Sequence, residues 1–225
     1  MNSFTEENYL KAIFKLLEKG GKTISTTSIA ERMNTKAATV TDMIKRLAGK
    51  KLINYQKYQG VSLTEKGKII AVSIIRKHRL WEVFLVEKLN FKWDEVHDIA
   101  EQLEHINSDE LINRIDSFLN YPKIDPHGDP IPDAKGVFNR KKAFLLSEID
   151  VGQRCVMTGV VDHSANFLQY LDRVGLSIGK EIKLVEIISF DKSIQIQING
   201  KESVSLSYEV AKNLLVNNKS NITSK

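Results

Sequence analysis

Apolar positions recur with helical spacing close to the N-terminus. Tyr9, Leu10, Ile13, Phe14, Leu16 and Leu17 predict an amphipathic helix, which Gly20-Gly21, a pair that tolerates positive φ, would end. Thr26 and Thr27 are suited to cap a short helix through Ile29, Ala30 and Met33, followed by a turn at Asn34-Thr35. A second short helix is expected from Lys36 to Gly49, turning Val40, Ile44 and Leu47 inward and leaving Thr39, Thr41, Asp42, Lys45 and Arg46 outside. The pattern then becomes strand-like in Leu52 to Tyr55 and Gly60 to Leu63, around a polar turn from Gln56 to Gln59. Helices followed by such a hairpin have the rhythm of a winged helix-turn-helix.

Thr64 and Gly67 open a long apolar-periodic helix through Ile69, Ile70, Val72, Ile74 and Ile75 and on to Val86, with a break at Asn90. A further helix is expected to contain Val96, Ile99, Ala100, Leu103 and Ile106. Ser108 begins another, with Leu111, Ile112, Ile115 and Phe118 as its apolar ladder. These helices are expected to bury a core and a two-fold interface. All four prolines fall between Tyr121 and Pro132, which makes that stretch a fixed loop or linker. From Leu145 to about Val216 the period changes: Glu181 to Val185 and Ser193 to Ile198 alternate as strands do, and Asn199-Gly200 is a hairpin turn. Asn217 to Lys225 reads as a polar, frayed tail.

With 225 residues, 42% of them hydrophobic, the chain can support two domains with real cores. Its single cysteine, Cys155, excludes an intramolecular disulfide and reads as a small buried strand residue. No apolar run approaches membrane-spanning length, and Glu6 and Glu7 precede an amphipathic rather than a uniformly apolar stretch, unlike a signal peptide. A cytoplasmic protein without a membrane partner is therefore expected. The net charge of +5 hides a polarity: residues 1–80 hold sixteen Lys or Arg against six Asp or Glu, and the remainder is net negative. The basic end is suited to double-stranded DNA, with Lys36, Thr39, Thr41, Asp42, Lys45 and Arg46 on the recognition helix and Lys57 on the wing as candidate contacts. A homodimer would present two such helices to a palindromic operator. The same fold also serves as a protein-interaction module.

Chemistry concentrates in the middle of the chain. His78 and Glu82 lie one helical turn apart, as do His97 and Glu101, and Glu101 and His105, with Glu104 beside them. Imidazole and carboxylate on neighbouring helices suit Mn(II), Fe(II), Co(II), Ni(II) or Zn(II), whereas a tetrathiolate zinc site is excluded. No phosphate-cradling glycine motif and no nucleophile beside a His–acid pair is present. A metal-dependent regulator, not an enzyme, is the leading reading; a metal-independent winged-helix DNA-binding or interaction protein is the alternative, and a hydrolytic metalloenzyme ranks third.

Three blocks resemble the diphtheria-toxin-repressor family of metal-dependent transcriptional regulators. They are Glu7 to Leu10 with Ile29 to Arg32 and Thr39 to Thr41; Arg76 to Glu82; and His97 to His105 followed by Asp125 to Pro132. The resemblance implies a mainly α protein with a small β domain. It would comprise an N-terminal winged helix-turn-helix over 1–65, a helical metal-binding and dimerisation domain over 66–140, and a C-terminal SH3-like or FeoA-like β-barrel over 145–216. It also implies one metal site at His78, Glu82 and His97, supplemented from the C-terminal domain by His163 and Asn166. A second would use Glu101, Glu104 and His105 with Asn8 from the first helix, where relatives offer Asp or Met; a nearby position that is acidic in some manganese sensors is Lys11. A carboxylate at Glu101, where iron sensors often have cysteine, leans the cofactor toward Mn(II), with Fe(II) as the alternative and Co(II), Ni(II) or Zn(II) possible in vitro. The resemblance gives His127 a structural role before a ligand role. The implied function is repression of metal-homeostasis genes by the metal-loaded homodimer.

Overall fold

A computed structural model describes residues 3–56, 59–201 and 203–218. Helices α1 (Phe4–Glu18), α2 (Thr26–Arg32) and α3 (Ala37–Gly49) precede the hairpin β1 (Ile53–Gln56) and β2 (Gly60–Leu63). Three helices follow: α4 (Glu65–Leu89), α5 (His97–Leu103) and α6 (Asp109–Phe118). The C-terminal part contains β3 (Phe144–Leu145), β4 (Arg154–Val160), α7 (Ala165–Arg173), β5 (Glu181–Ile187), β6 (Ile194–Ile198), β7 (Ser203–Leu206), α8 (Tyr208–Ala211) and β8 (Leu214–Asn218). No helix is long and apolar enough to cross a membrane among the described residues. The chain divides into two compact units, one comprising Met1–Trp81, Ala100–Tyr121 and Ile131–Phe138, the other Glu82–Ile99, Pro122–Pro130 and Asn139–Lys225.

In the first unit, α1 starts on a capping box: the Ser3 hydroxyl accepts from the Glu6 amide and the Glu6 carboxylate accepts from the Ser3 amide. The expected caps of α2 give way to Ser25, whose extended backbone lets its hydroxyl accept from the Ser28 amide, while Thr26 is already helical. Leu10, Ile13, Ile29, Val40, Ile44 and Leu47 bury completely in one core with Val61 of the hairpin. Gly67 lets the first turn of α4 lie against the Leu52 carbonyl, a space that a Cβ would fill. Helix α5 is shorter than its apolar spacing predicts, ending at Leu103, so Glu104 and His105 stand in the turn beyond it.

In the second unit the sheet runs β3-β8-β4-β5-β6-β7, every pair antiparallel. Its core includes Cys155, Met157, Ile182, Leu184, Ile196 and Leu214, covered by Leu168 and Leu171 of α7. The expected barrel does not form. Closure requires every strand to be paired on both sides, but among the described residues β3 pairs only with β8 and β7 only with β6. Strand β3 is two residues long and offers little ladder to close on. Asn199 and Gly200, at φ 49 and 71, turn β6 toward β7 as their sequence predicts.

Candidate functional site

Glu82 is the hub of a carboxylate–imidazole cluster. It is 2% exposed and lies one turn beyond the buried His78 on α4. Within the second unit, Oε1 of Glu82 is 3.5 Å from Nδ1 of His97 and 3.6 Å from Nδ1 of His127. Glu82, Asp125 and His127 each offer an atom within 4.8 Å of the others, and all three are buried. Neither Asp125 nor His127 was singled out as a ligand from the sequence; a histidine and two acids in one proline-rich loop were the available signal.

The loop is built to hold His127 in one orientation. Oδ1 of Asp125 accepts from the amides of His127 at 2.8 Å and Asp129 at 3.0 Å. Gly128, at φ +91, packs against the backbone of Thr158 and Gly159, and the His127 carbonyl accepts from the Val160 amide at 3.0 Å. The His127 ring lies 2.8 Å from the Trp93 carbonyl through Nε2, which fixes Nε2 as the donor and turns Nδ1 toward the carboxylates. That nitrogen is buried without a hydrogen-bond partner among the described residues. Burial opposes a charge on the ring, but Glu82, Asp125 and the Trp93 carbonyl outweigh it and raise its pKa to about 9. Two carboxylates facing an oriented imidazole fit a divalent cation of intermediate hardness.

Two contacts within the same unit tie α7 to this cluster. Trp93 Nε1 donates to Asp172 at 3.1 Å, and Gln169 donates to Asp94 at 2.8 Å. The ring of His163 stacks on His127, centroids 4.7 Å apart. Asn166 is exposed in the first turn of α7.

The second expected set looks different. Glu104, completely buried, receives Lys11 Nζ on Oε1 at 2.5 Å and His78 Nδ1 on Oε2 at 2.6 Å. Lys11 also reaches Glu101 at 3.2 Å. His105 presents Nδ1 to Glu7 at 2.7 Å, stacks on Phe4, and holds Nε2 at 3.8 Å from Glu104. The Asn8 amide oxygen is buried without a hydrogen-bond partner among the described residues. Burial opposes ionisation of Glu104, but His78 and Lys11 outweigh it and hold its carboxyl below the ordinary range. The cation between these carboxylates is an ammonium. A divalent ion about 4 Å from that ammonium would meet repulsion of order 8 kcal/mol at an effective dielectric of about 20. This set does not fit a metal while Lys11 is in place.

Lys36, at the N-cap of α3, and Thr39, Asp42, Lys45 and Arg46 on it are exposed, whereas the Thr41 hydroxyl donates back to the Ala37 carbonyl at 2.9 Å. Arg46 and Lys50 each lie 2.7 Å from Glu6, pinning α1 to α3. Lys57 lies outside the described residues.

A winged helix-turn-helix with an exposed basic helix, in a chain that also carries a buried carboxylate–imidazole cluster, defines a metal-responsive DNA-binding protein. Residues 2–61 match the iron dependent repressor N-terminal DNA binding domain, residues 64–133 its metal binding and dimerisation domain, and residues 144–218 the FeoA domain. The chain is 38% identical to the iron-dependent repressor IdeR of Mycobacterium tuberculosis over 217 residues, covering 92% of this chain and 94% of that protein. It is 32% identical to the diphtheria toxin repressor of Corynebacterium diphtheriae over 209 residues, covering 88% and 90%. A solved manganese-dependent transcriptional repressor in complex with manganese superposes with a TM-score of 0.85 at 34% identity, covering 95% of this chain and 99% of that one. The chain belongs to the DtxR/IdeR/MntR family of metal-dependent transcriptional regulators. It is a metal-dependent transcriptional repressor, and the members of its family are DNA-binding repressors, not enzymes.

Proposed function

We propose that this chain represses metal-homeostasis genes in the cytoplasm by binding palindromic operator DNA as a homodimer when loaded with Mn(II). Glu82 would hold the ion with His97 and His127, joined by Asp125 and by Nε2 of His78, whose Nδ1 is engaged by Glu104. The observation that carries this reading is Glu82 Oε1 facing two imidazoles at 3.5 and 3.6 Å. Mn(II) is favoured over softer ions because the set is all oxygen and nitrogen, and the one thiol, Cys155, is buried in the sheet with its pKa raised to about 11. The similarity to a manganese-dependent transcriptional repressor solved with manganese supports the same choice. Fe(II) is the runner-up, favoured by the iron-dependent repressors among the relatives.

The ion would act by population shift: it would favour one arrangement of the metal-binding helices and, through the His127–His163 stack, of the C-terminal domain, and operator DNA would select that same arrangement. Metal and operator must then strengthen each other's binding by the same factor. Lys36, Thr39, Thr41, Asp42, Lys45, Arg46 and Lys57 are the proposed DNA contacts, and the exposure of Lys36 at the N-cap of α3 and of Thr39, Asp42, Lys45 and Arg46 on it supports that assignment. Operator affinity measured in Mn(II) and in chelator tests the proposal; equal affinity in the two would refute it.

A further inference from the structure

We propose that the Lys11 ammonium takes the place of a second divalent ion, so that α1 is tied to Glu101 and Glu104 whether or not metal is present and no divalent ion is taken up there. This goes beyond the function proposed above and stands on separate residues. Nζ of Lys11 is buried with its side chain at 9% exposure, 2.5 Å from Glu104 and 3.2 Å from Glu101, each on its Oε1. It spans more than ninety residues of sequence to do so, joining the first helix to the end of α5. Asn8, one turn before Lys11 on α1, offers a neutral amide in place of a carboxylate, and the carboxylate that α1 does bring here, Glu7, is engaged by His105 at 2.7 Å.

The juxtaposition also serves the other cluster. Glu104 bridges the ammonium to His78 Nδ1, so the cation that replaces a metal orients an imidazole of the proposed sensory site.

The test counts Mn(II) bound to the full-length chain by equilibrium dialysis and elemental analysis. Glu82→Gln, with Lys11 intact, is expected to bind no ion, and Glu82→Gln with Lys11→Glu to bind one that disappears when Glu101→Ala is added. An ion bound by Glu82→Gln alone and lost on adding Glu101→Ala would overturn the inference. A second measurement needs no change at Lys11: hydrogen exchange of residues 4–18 in Glu82→Gln should differ less than about 2-fold between Mn(II) and chelator. Protection by Mn(II) of roughly 10-fold or more would overturn it. A wild-type chain that binds no Mn(II) while Lys11→Glu binds one would sink the function proposed above and sustain this inference.

Discussion

Glu104 and His78 meet at 2.6 Å, carboxylate oxygen to imidazole nitrogen, inside the protein. The carboxylate thereby selects the His78 tautomer that leaves Nε2 as the prospective ligand, the outer-shell arrangement common to histidines that bind metal. Glu104→Gln should weaken Mn(II) binding by roughly 10–100-fold even though Glu104 is not itself a proposed ligand. Unchanged affinity, measured by competition with a chelating dye, would show that His78 does not participate.

Gly128 is predicted to be intolerant of substitution because of its packing rather than through any ligand role. Gly128→Ala puts a methyl into the backbone of Thr158 and Gly159 at a φ that L residues rarely adopt. Mn(II) affinity should fall along with stability, whereas Gly152→Ala, at a positive φ with open space around it, should lower stability alone. Equal metal affinity in the two variants would contradict the role given to the loop.

Lys45, exposed on α3, is proposed as a phosphate contact rather than a base reader. Lys45→Ala should weaken binding to all DNA sequences about equally and reduce the salt dependence of log K by about one. Arg46→Ala should in addition destabilise the fold, because Arg46 is 2.7 Å from the buried Glu6. Thermal unfolding alongside DNA titration in a salt series separates the two.

The Glu6 carboxyl is held below its ordinary value of 4.5: burial pushes it up, but the Lys50 hydrogen bond, the Ser3 amide and the charges of Lys50 and Arg46 outweigh that. A carboxyl depressed in the folded state contributes its full stabilisation above the unfolded value and loses it as pH falls through the folded value. Glu6→Gln should therefore cost about 1–2 kcal/mol near neutral pH, and the gap to wild type should close as pH falls below 4.5. Urea unfolding across that range checks it; a gap independent of pH would assign the cost to packing.

Much of the fold was legible in the sequence because the relevant signals are local. The 3.6-residue spacing of Leu10, Ile13 and Phe14, the alternation in β6 and the Asn199-Gly200 turn each act over one element. That the sheet stays open was not legible, since closure depends on a ladder between strands at opposite ends of the sheet. Helix α7 is masked in the sequence by the strand signals around it, although Leu168 and Leu171 carry helical spacing behind Ser164. At the candidate site, His78, Glu82 and His97 stood out by spacing along helices. Asp125 and His127 did not, because what brings them to Glu82 is a proline loop packed on β4. Lys11 was visible as a departure from an acidic pattern, but only its approach to Glu104 across the fold gives it a role.

We propose that ion binding at Glu82 controls DNA binding. It is tested most directly by measuring operator affinity for wild type and Glu82→Gln, each in saturating Mn(II) and in excess chelator. Wild type should bind tighter in Mn(II) by roughly 5–150-fold, the usual span of allosteric coupling, and Glu82→Gln should bind equally in both at the chelator value. Wild-type affinity that is indifferent to Mn(II), or a full Mn(II) response retained by Glu82→Gln, would contradict the account.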